Sequence, residues 1–395
     1  MDLDRSTMVC PRRYPFGADH HTLDLEPDYG DCAPVEQVVL PSGLTAWLVT
    51  EHALVRQVLA DPAFSREQAN RPEVARLSTE VLPAAAILAT DPPRHTRLRT
   101  LIARMFAPRQ IDATGPRIAE LAVDLLEDLV AAGPPADLLT EWVEPYAAAV
   151  VCEIFGVPTD FRDYVFSLGD ALTARDATAQ TLAAARADCE ELARAMAEEN
   201  PGGLFGLLGD SDERDDEVIN LVIACLIGGR GSPTVFLSSA IFALLRERRH
   251  YQLLVDRPEA IPAAVEELLR FVPVGVGGGF TRVARADVQL GPVLVRAGDA
   301  VIPAMHAAGR DPAVFDRPDQ LVLDRGAKVA HLAFGHGPHY CVGAHLARLQ
   351  ARIALHTLTT RLPDLRLTDS PEAVGWRHGR VVRALDRLEV TWTPA

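Results

Sequence analysis

The ten residues Phe334-Gly335-His336-Gly337-Pro338-His339-Tyr340-Cys341-Val342-Gly343 constrain this chain more than any other stretch. Two glycines and a proline lead into one cysteine, a glycine follows two residues later, and a long helical pattern then runs from about Gly343 to Leu362. A helix that starts just past Cys341 points its positive end and its free N–H groups at the sulfur, which favours the thiolate over the thiol. The glycines let the backbone come close to that sulfur and to whatever binds it. Three roles fit these residues. Cys341 could be an ordinary buried cysteine, one ligand of a zinc site with His336, His339 and His345, or a lone thiolate ligand.

The rest of the chain says what kind of body carries this loop. It has 395 residues, 48% of them hydrophobic, which is enough for a large core in a single domain spanning 1–395. It is rich in Ala and Leu and has 6% aromatics, which favours helix over sheet. A net charge of −15 argues against a nucleic-acid binder. The six cysteines are scattered, which points to a reducing cytoplasm. The start MDLDRSTMVC does not read as a signal peptide, and no uncharged apolar run reaches the ~18 residues of a membrane span.

The pattern predicts a strand over Leu44–Val49 after the turn Pro41-Ser42-Gly43, then a helix over Glu51–Leu59. Another helix opens at Asp91-Pro92-Pro93, with Asp91 as its N-cap and with His95 and Arg99 on one face. Helices follow from Gly115 to about Glu199, and a polar break is expected at Asp210–Glu213. Val218–Leu226 reads as a helix buried on every side. Pro262–Phe271 is helical, and strands follow at Thr281–Leu290, Val293–Arg296, Ala300–Pro303 and Arg387–Trp392. The fold class is mainly α (α+β), a helical body with a small segregated sheet. A continuous helix over Asp215–Arg248 would be about 50 Å long, and the pattern is interrupted at Gly228-Gly229-Arg230-Gly231-Ser232-Pro233. Pro233 removes one N–H and crowds the carbonyl of Gly229, at a cost of ~3 kcal/mol if unrelieved, so a bulge or kink is expected there.

The cysteine loop resembles the haem-binding signature of the cytochrome P450 family, F-x-x-G-x-x-x-C-x-G, at every fixed position. Glu267-Leu268-Leu269-Arg270 resembles that family's E-x-x-R helix, and Asp91 to Arg99 resembles its helix behind the haem. Arg282, the segment His306 to Pro312 and Phe315 fit its strand and meander region, so the likeness runs from about Val35 to Trp392. The resemblance implies a cytochrome P450-like helical fold and a haem b (iron protoporphyrin IX) cofactor. It implies Cys341 as the iron ligand, and His95, Arg99, Arg282 and His339 as partners of the haem propionates. Arginine forks and histidine N–H groups suit carboxylates chemically.

The chain departs from the family pattern in two places. The family pairs Glu267 and Arg270 with a second arginine from a P-x-R-F segment, and Pro318-Asp319-Gln320-Leu321 places Gln320 there, so the charged three-residue network is not expected in its usual form. The oxygen-activating motif A/G-G-x-D/E-T falls on Gly228–Ser232, which puts Gly231 at the acid position and Ser232 at the alcohol position. Family members without the acid–alcohol pair are often atypical, and some couple aromatic rings through substrate radicals.

The expected reaction is therefore oxidative coupling of an aromatic natural product, such as a tryptophan-containing cyclic dipeptide. The alternatives are conventional hydroxylation or epoxidation, with a non-catalytic haem-binding protein as a more distant class. The resemblance places substrate contacts in Glu67–Thr90, Asp160–Glu199, Gly228–Thr234 and Val274–Phe280, with Leu88, Arg230 and Val276 as candidates. Arg230 fits a surface-pointing helix residue equally well. Partners are a small-molecule substrate, O2, and electrons from a separate ferredoxin and ferredoxin reductase. A basic docking patch of Arg104, Arg109, Arg348 and Arg352 is the candidate surface for that partner.

Overall fold

A computed structural model of the chain describes residues 11–17, 22–71, 73–75, 77, 86–157, 216–275, 277, 279–326, 329–378 and 382–394, with six further positions between 180 and 191. Ten α-helices of four residues or more organise the described residues: α1 (His52–Ala60), α2 (Arg94–Ala103), α3 (Pro108–Ala113), α4 (Gly115–Ala132), α5 (Glu144–Phe155), α6 (Asp216–Arg246), α7 (Arg248–Asp256), α8 (Ile261–Phe271), α9 (Met305–Ala308) and α10 (Ala344–Arg361).

The main sheet joins strands of the amino-terminal segment to strands at 282–303. Its order is β1 (Arg12–Arg13), β2 (Val35–Val39), β3 (Thr45–Val49), β9 (Ala300–Pro303), β6 (Arg282–Ala284), β4 (Phe64–Ser65). The β2–β3 hairpin is antiparallel, with Val35 opposite Val49, and Gly43 takes a positive φ in its turn. β3 then pairs parallel to β9, with Trp47 opposite Val301. A second sheet orders β10 (Arg366–Leu367), β11 (Glu389–Thr391) and β5 (Ala136–Asp137), and β7 (Val288–Leu290) with β8 (Val293–Val295) forms a hairpin. The strand expected over Thr281–Leu290 is two strands, β6 and β7, which belong to different sheets. The other expected helices and strands in the described residues appear within a few positions of their predicted ends. The polar break at Asp210–Glu213 and most of the 160–199 stretch lie outside the described residues.

The helical core is built around α6. By length and composition Asn220–Arg246, 27 residues with mean hydropathy 1.5, could cross a bilayer. Here it packs against α2, α5, α7, α8 and α10, and Val218, Leu221, Val222, Leu237, Ile241 and Leu244 are all buried. An apolar helix surrounded by other helices buries its sides in protein.

Helical structure runs unbroken through Pro233, which corrects the interruption expected at Gly228–Pro233. One lost N–H is tolerated because both flanking turns are held by tertiary packing, chiefly against α5 and through the buried face Val235–Leu245. Gly229 permits that packing, since a Cβ there would stand 2.9 Å from Val151 Cγ2 on α5.

Candidate active site

The cysteine loop folds as its composition requires. Gly335 and Gly337 have φ of 73° and 71°, which side-chain-bearing residues rarely adopt. A Cβ on Gly337 would stand 2.7 Å from the Leu59 carbonyl oxygen, so α1 closes directly onto the loop. The Cys341 N–H donates to Phe334 O at 2.9 Å, which turns the loop back on itself just before α10. Cys341 lines a cavity of about 550 Å³, with Arg99, Phe106, His345 and Arg348 also on its walls. Desolvation pushes the Cys341 thiol up, while the Gly343 N–H and the charges of Arg99 and Arg348 pull it down.

The zinc alternative is not supported. No group of three or more metal-capable side chains occurs among the described residues, and His345 is engaged by Asp112 at 2.7 Å.

Four residues expected to face the haem propionates come from three separate elements, and the structure brings three of them close together. The His95 and His339 rings are 4.1 Å apart. Arg282 is buried, and its Nε is shielded with no hydrogen-bond partner. Burial lowers the Arg282 guanidinium to about 10, and it lowers His339 to about 3, with His95, Arg282 and Arg66 adding to the effect. His95 is lowered for the same main reason. Arg99, one turn further along α2, stands by the Cys341 sulfur instead.

Asp91 is the acid that faces this cluster. It does not cap α2 with its side chain, contrary to expectation. Its carboxylate accepts from Ser65 Oγ at 2.5 Å, Arg66 N–H at 2.9 Å and Arg285 Nη2 at 2.5 Å, so β4 and β6 compete successfully for it. Burial pushes Asp91 up, and those donors outweigh it and hold the group below its usual range.

Two adjacent carboxylates on α8 lock the loop's surroundings. Glu267 and Arg270 are both nearly inaccessible and joined by two hydrogen bonds, 2.8 and 2.7 Å. The second arginine is present, which corrects the expectation drawn from Gln320. Arg325 Nε donates to Glu267 Oε2 at 2.9 Å. Gln320 contributes its backbone carbonyl, which accepts from Arg270 and Arg325. The two arginines also bind the carbonyls of Gly309, Asp316, Arg317 and Pro318, so the whole meander is tied to α8.

Glu266 was missed by sequence reasoning. It accepts from Arg348 at 2.7 and 3.0 Å and contacts His331 Nε2 at 3.2 Å, joining α8, α10 and the approach to the cysteine loop. Burial would raise it, and these partners lower it to about 2. The one available signal was its place beside Glu267, about 100° around the helix from it.

On α6, Gly228 and Gly231 have no atom of the described residues within 4 Å of an added Cβ, and Ser232 beside them is exposed. The three share one face by helical spacing. Arg230 is half-buried and lies ~100° around the helix from Gly231, on the side away from Gly228 and Ser232. Leu88 is exposed in a short turn, Ile87–Ala89, that packs on α6. Val276 lies outside the described residues. Of the expected docking arginines, Arg104 and Arg109 are exposed. Arg348 is held by Glu266, and Arg352 donates to the Arg348 carbonyl at 3.1 Å.

An iron porphyrin fits these residues. A single thiol stands at a helix N-terminus with glycine-lined clearance, and a buried arginine whose Nε has no partner stands with two histidines of lowered pKa, a donor set suited to carboxylates.

Comparison with known proteins agrees. The cytochrome P450 family model matches residues 248–362. The chain is 42% identical to nocardicin C N-oxygenase of Nocardia uniformis subsp. tsuyamanensis, over 98% of this chain and 100% of that protein. It is 36% identical to mycinamicin IV hydroxylase/epoxidase of Micromonospora griseorubida, with the same coverage. A crystal structure of cytochrome P450mel 107F1, described as having biaryl coupling reactivity, superposes with a TM-score of 0.88 at 32% identity over 94% of this chain and 98% of that one. With the thiol loop, the α8 ion-pair network and full-length identity of 42% all in agreement, the chain belongs to the cytochrome P450 family and is an oxidoreductase of that class.

Proposed function

We propose that this cytochrome P450 of bacterial secondary metabolism performs oxidative coupling, C–C or C–N, of an aromatic small molecule, with a tryptophan-containing cyclic dipeptide as the representative substrate. The observation that carries this reading is Gly231, which stands at the acid position of the family's oxygen-activating motif and meets no atom of the described residues there. Haem b ligated by the Cys341 thiolate would supply electron transfer and O2 activation. Arg282, His95 and His339 would hold its propionates, and Arg99 would favour the thiolate.

The chain's own means of moving protons are reduced. Gly231 has no group that can hold a proton, and Ser232 Oγ can hold or pass one. Pro233 has no N–H, so the carbonyl of Gly229 lacks its helical donor and can accept from a water or a substrate N–H. Coupling suits this arrangement. Two substrate X–H bonds break and one new bond forms. The two hydrogens lost from substrate, with two electrons and two protons from outside, reduce O2 to water. A ferredoxin and ferredoxin reductase are the proposed electron source, with Arg104 and Arg109 exposed near the cysteine face. Among the described residues no cysteine is joined in a disulfide, and a reducing cytoplasm is the proposed compartment.

Oxygen insertion into a small hydrophobic metabolite is the second reading, favoured by relatives named as an N-oxygenase and a hydroxylase/epoxidase. Turnover under 18O-labelled dioxygen separates the two. Coupling leaves the main product unlabelled, and label in that product would overturn the coupling proposal.

A further inference from the structure

Arg66, just beyond β4, is buried at 5% exposure and has no carboxylate partner among the described contacts of its side chain. Its Nε donates to the Leu88 carbonyl at 3.0 Å, and its Nη1 donates to the Thr281 carbonyl. Its guanidinium carbon sits 4.9 Å from the centre of the Phe280 ring. Its own N–H is fixed by Asp91. Phe280 is 56% exposed and Leu88 is 36% exposed, unusual for large apolar residues beside a buried cluster.

A buried cation carries a desolvation cost, and here burial together with neighbouring Arg282 lowers the group to about 9. A charge kept in such a place needs a use that a neutral residue would not serve. What Arg66 touches supplies one. The turn carrying Leu88 and the segment carrying Phe280 and Thr281 are 192 residues apart (280 − 88), no ladder joins them directly, and Arg66 bonds to both.

We propose that Arg66 is a positioning residue for substrate specificity, which sets Leu88 and Phe280 at a fixed separation as two walls of a slot for a flat apolar or aromatic body, next to the haem-edge residue Arg282. Leu88 holds its place through its backbone, so its side chain is free for ligand. Phe280 presents one ring face to the guanidinium and leaves the other free for stacking. The inference rests on the reading that this side of α6 receives substrate.

The test uses the full-length, haem-loaded protein and three probes followed by absorption spectroscopy: a tryptophan-containing cyclic dipeptide, phenylimidazole and imidazole. Arg66→Lys keeps the charge and loses the fork that reaches both carbonyls, and Arg66→Gln serves if the lysine variant is poorly folded. The expected result is a rise of about tenfold or more in the dissociation constants of the dipeptide and phenylimidazole, with imidazole and haem content nearly unchanged. Phe280→Ala should give the same pattern, and adding Arg66→Lys to it should cost less than about threefold more.

Equal weakening of imidazole and phenylimidazole, or haem loss in step with weaker binding, would place Arg66 in haem anchorage and overturn the proposal. Unchanged phenylimidazole binding would overturn it as well. If the dipeptide fails to bind even the parent protein, the substrate assignment fails, and the ratio of phenylimidazole to imidazole binding still decides the role of Arg66.

Discussion

The residue that best separates motif matching from physical placement is Arg325. Its side chain reaches Glu267 across 58 positions of sequence, and Gln320 sits nearer in the chain yet offers only its carbonyl. The interaction is also buried on the carboxylate side, where Glu267 is 3% exposed. Removing one partner from a buried, hydrogen-bonded charge network leaves the others short of donors and costs several kcal/mol, whereas removing an outward side chain costs little. Arg325→Leu should therefore lower stability by about 2–4 kcal/mol and promote haem loss. Gln320→Ala should change stability by less than about 0.5 kcal/mol. Chemical denaturation of both variants, with haem content measured alongside, checks this. A Gln320→Ala loss as large as that of Arg325→Leu would show that the amide, rather than the second arginine, completes the network.

At the scale of one element, α6 shows what the sequence made legible and what it hid. The motif register, the missing acid at Gly231 and the run of glycines were all readable from residue types alone. Whether Pro233 broke the helix was not, because that balance is set by α5 and the buried face on either side, which no local rule contains. The differing jobs of the glycines were hidden for the same reason. Gly229 is needed for contact with Val151, while Gly231 meets nothing among the described residues. Alanine substitution should separate them. Gly231→Ala should stabilise the fold by about 0.5–1 kcal/mol through helix propensity. Gly229→Ala should destabilise it by about 1–3 kcal/mol by overpacking against α5. Thermal unfolding of the two variants tests the pair, and equal effects of the same sign would contradict the placement of α6. Glu266 was hidden in the same way, since a second glutamate in an E-E-L-L-R run gives no sign of which neighbour it will meet.

For the whole molecule, the question is how the sheet that joins the amino-terminal strands to those at 282–303 is fastened to the helical body. One fastening is a buried polar chain that leads from the amino-terminal segment to α9. Tyr14 and Tyr29 hydroxyls are 3.0 Å apart, and Tyr29 Oη lies 2.7 Å from His306 Nε2. His306 Nδ1 is shielded with no partner, and desolvation, aided by Arg383 and Arg310, lowers the group to about 3. Facing it are one phenol and two guanidinium groups, so a proton on the ring would find no compensating charge there. The sign follows from linkage. The unfolded chain protonates this histidine near its ordinary 6.5 and the folded chain near 3, so between those values the unfolded state binds more protons and stability falls as pH falls. Carboxylates held low, Glu266 among them, add their own loss only below about 4.5, through the window down to about 2. The midpoint of unfolding should therefore begin to drop between pH 6.5 and 5, before any carboxylate titrates, with about 1–2 kcal/mol attributable to His306 at pH 5. His306→Gln keeps a hydrogen-bonding amide opposite Tyr29 and cannot take up the proton. It should remove the His306 share of the drop over that interval, leaving the part that His339 and His95 contribute and the steeper fall at lower pH. Thermal midpoints measured every half pH unit in both proteins decide the matter, and parallel curves would mean that the sheet is held to the body without depending on the charge state of His306.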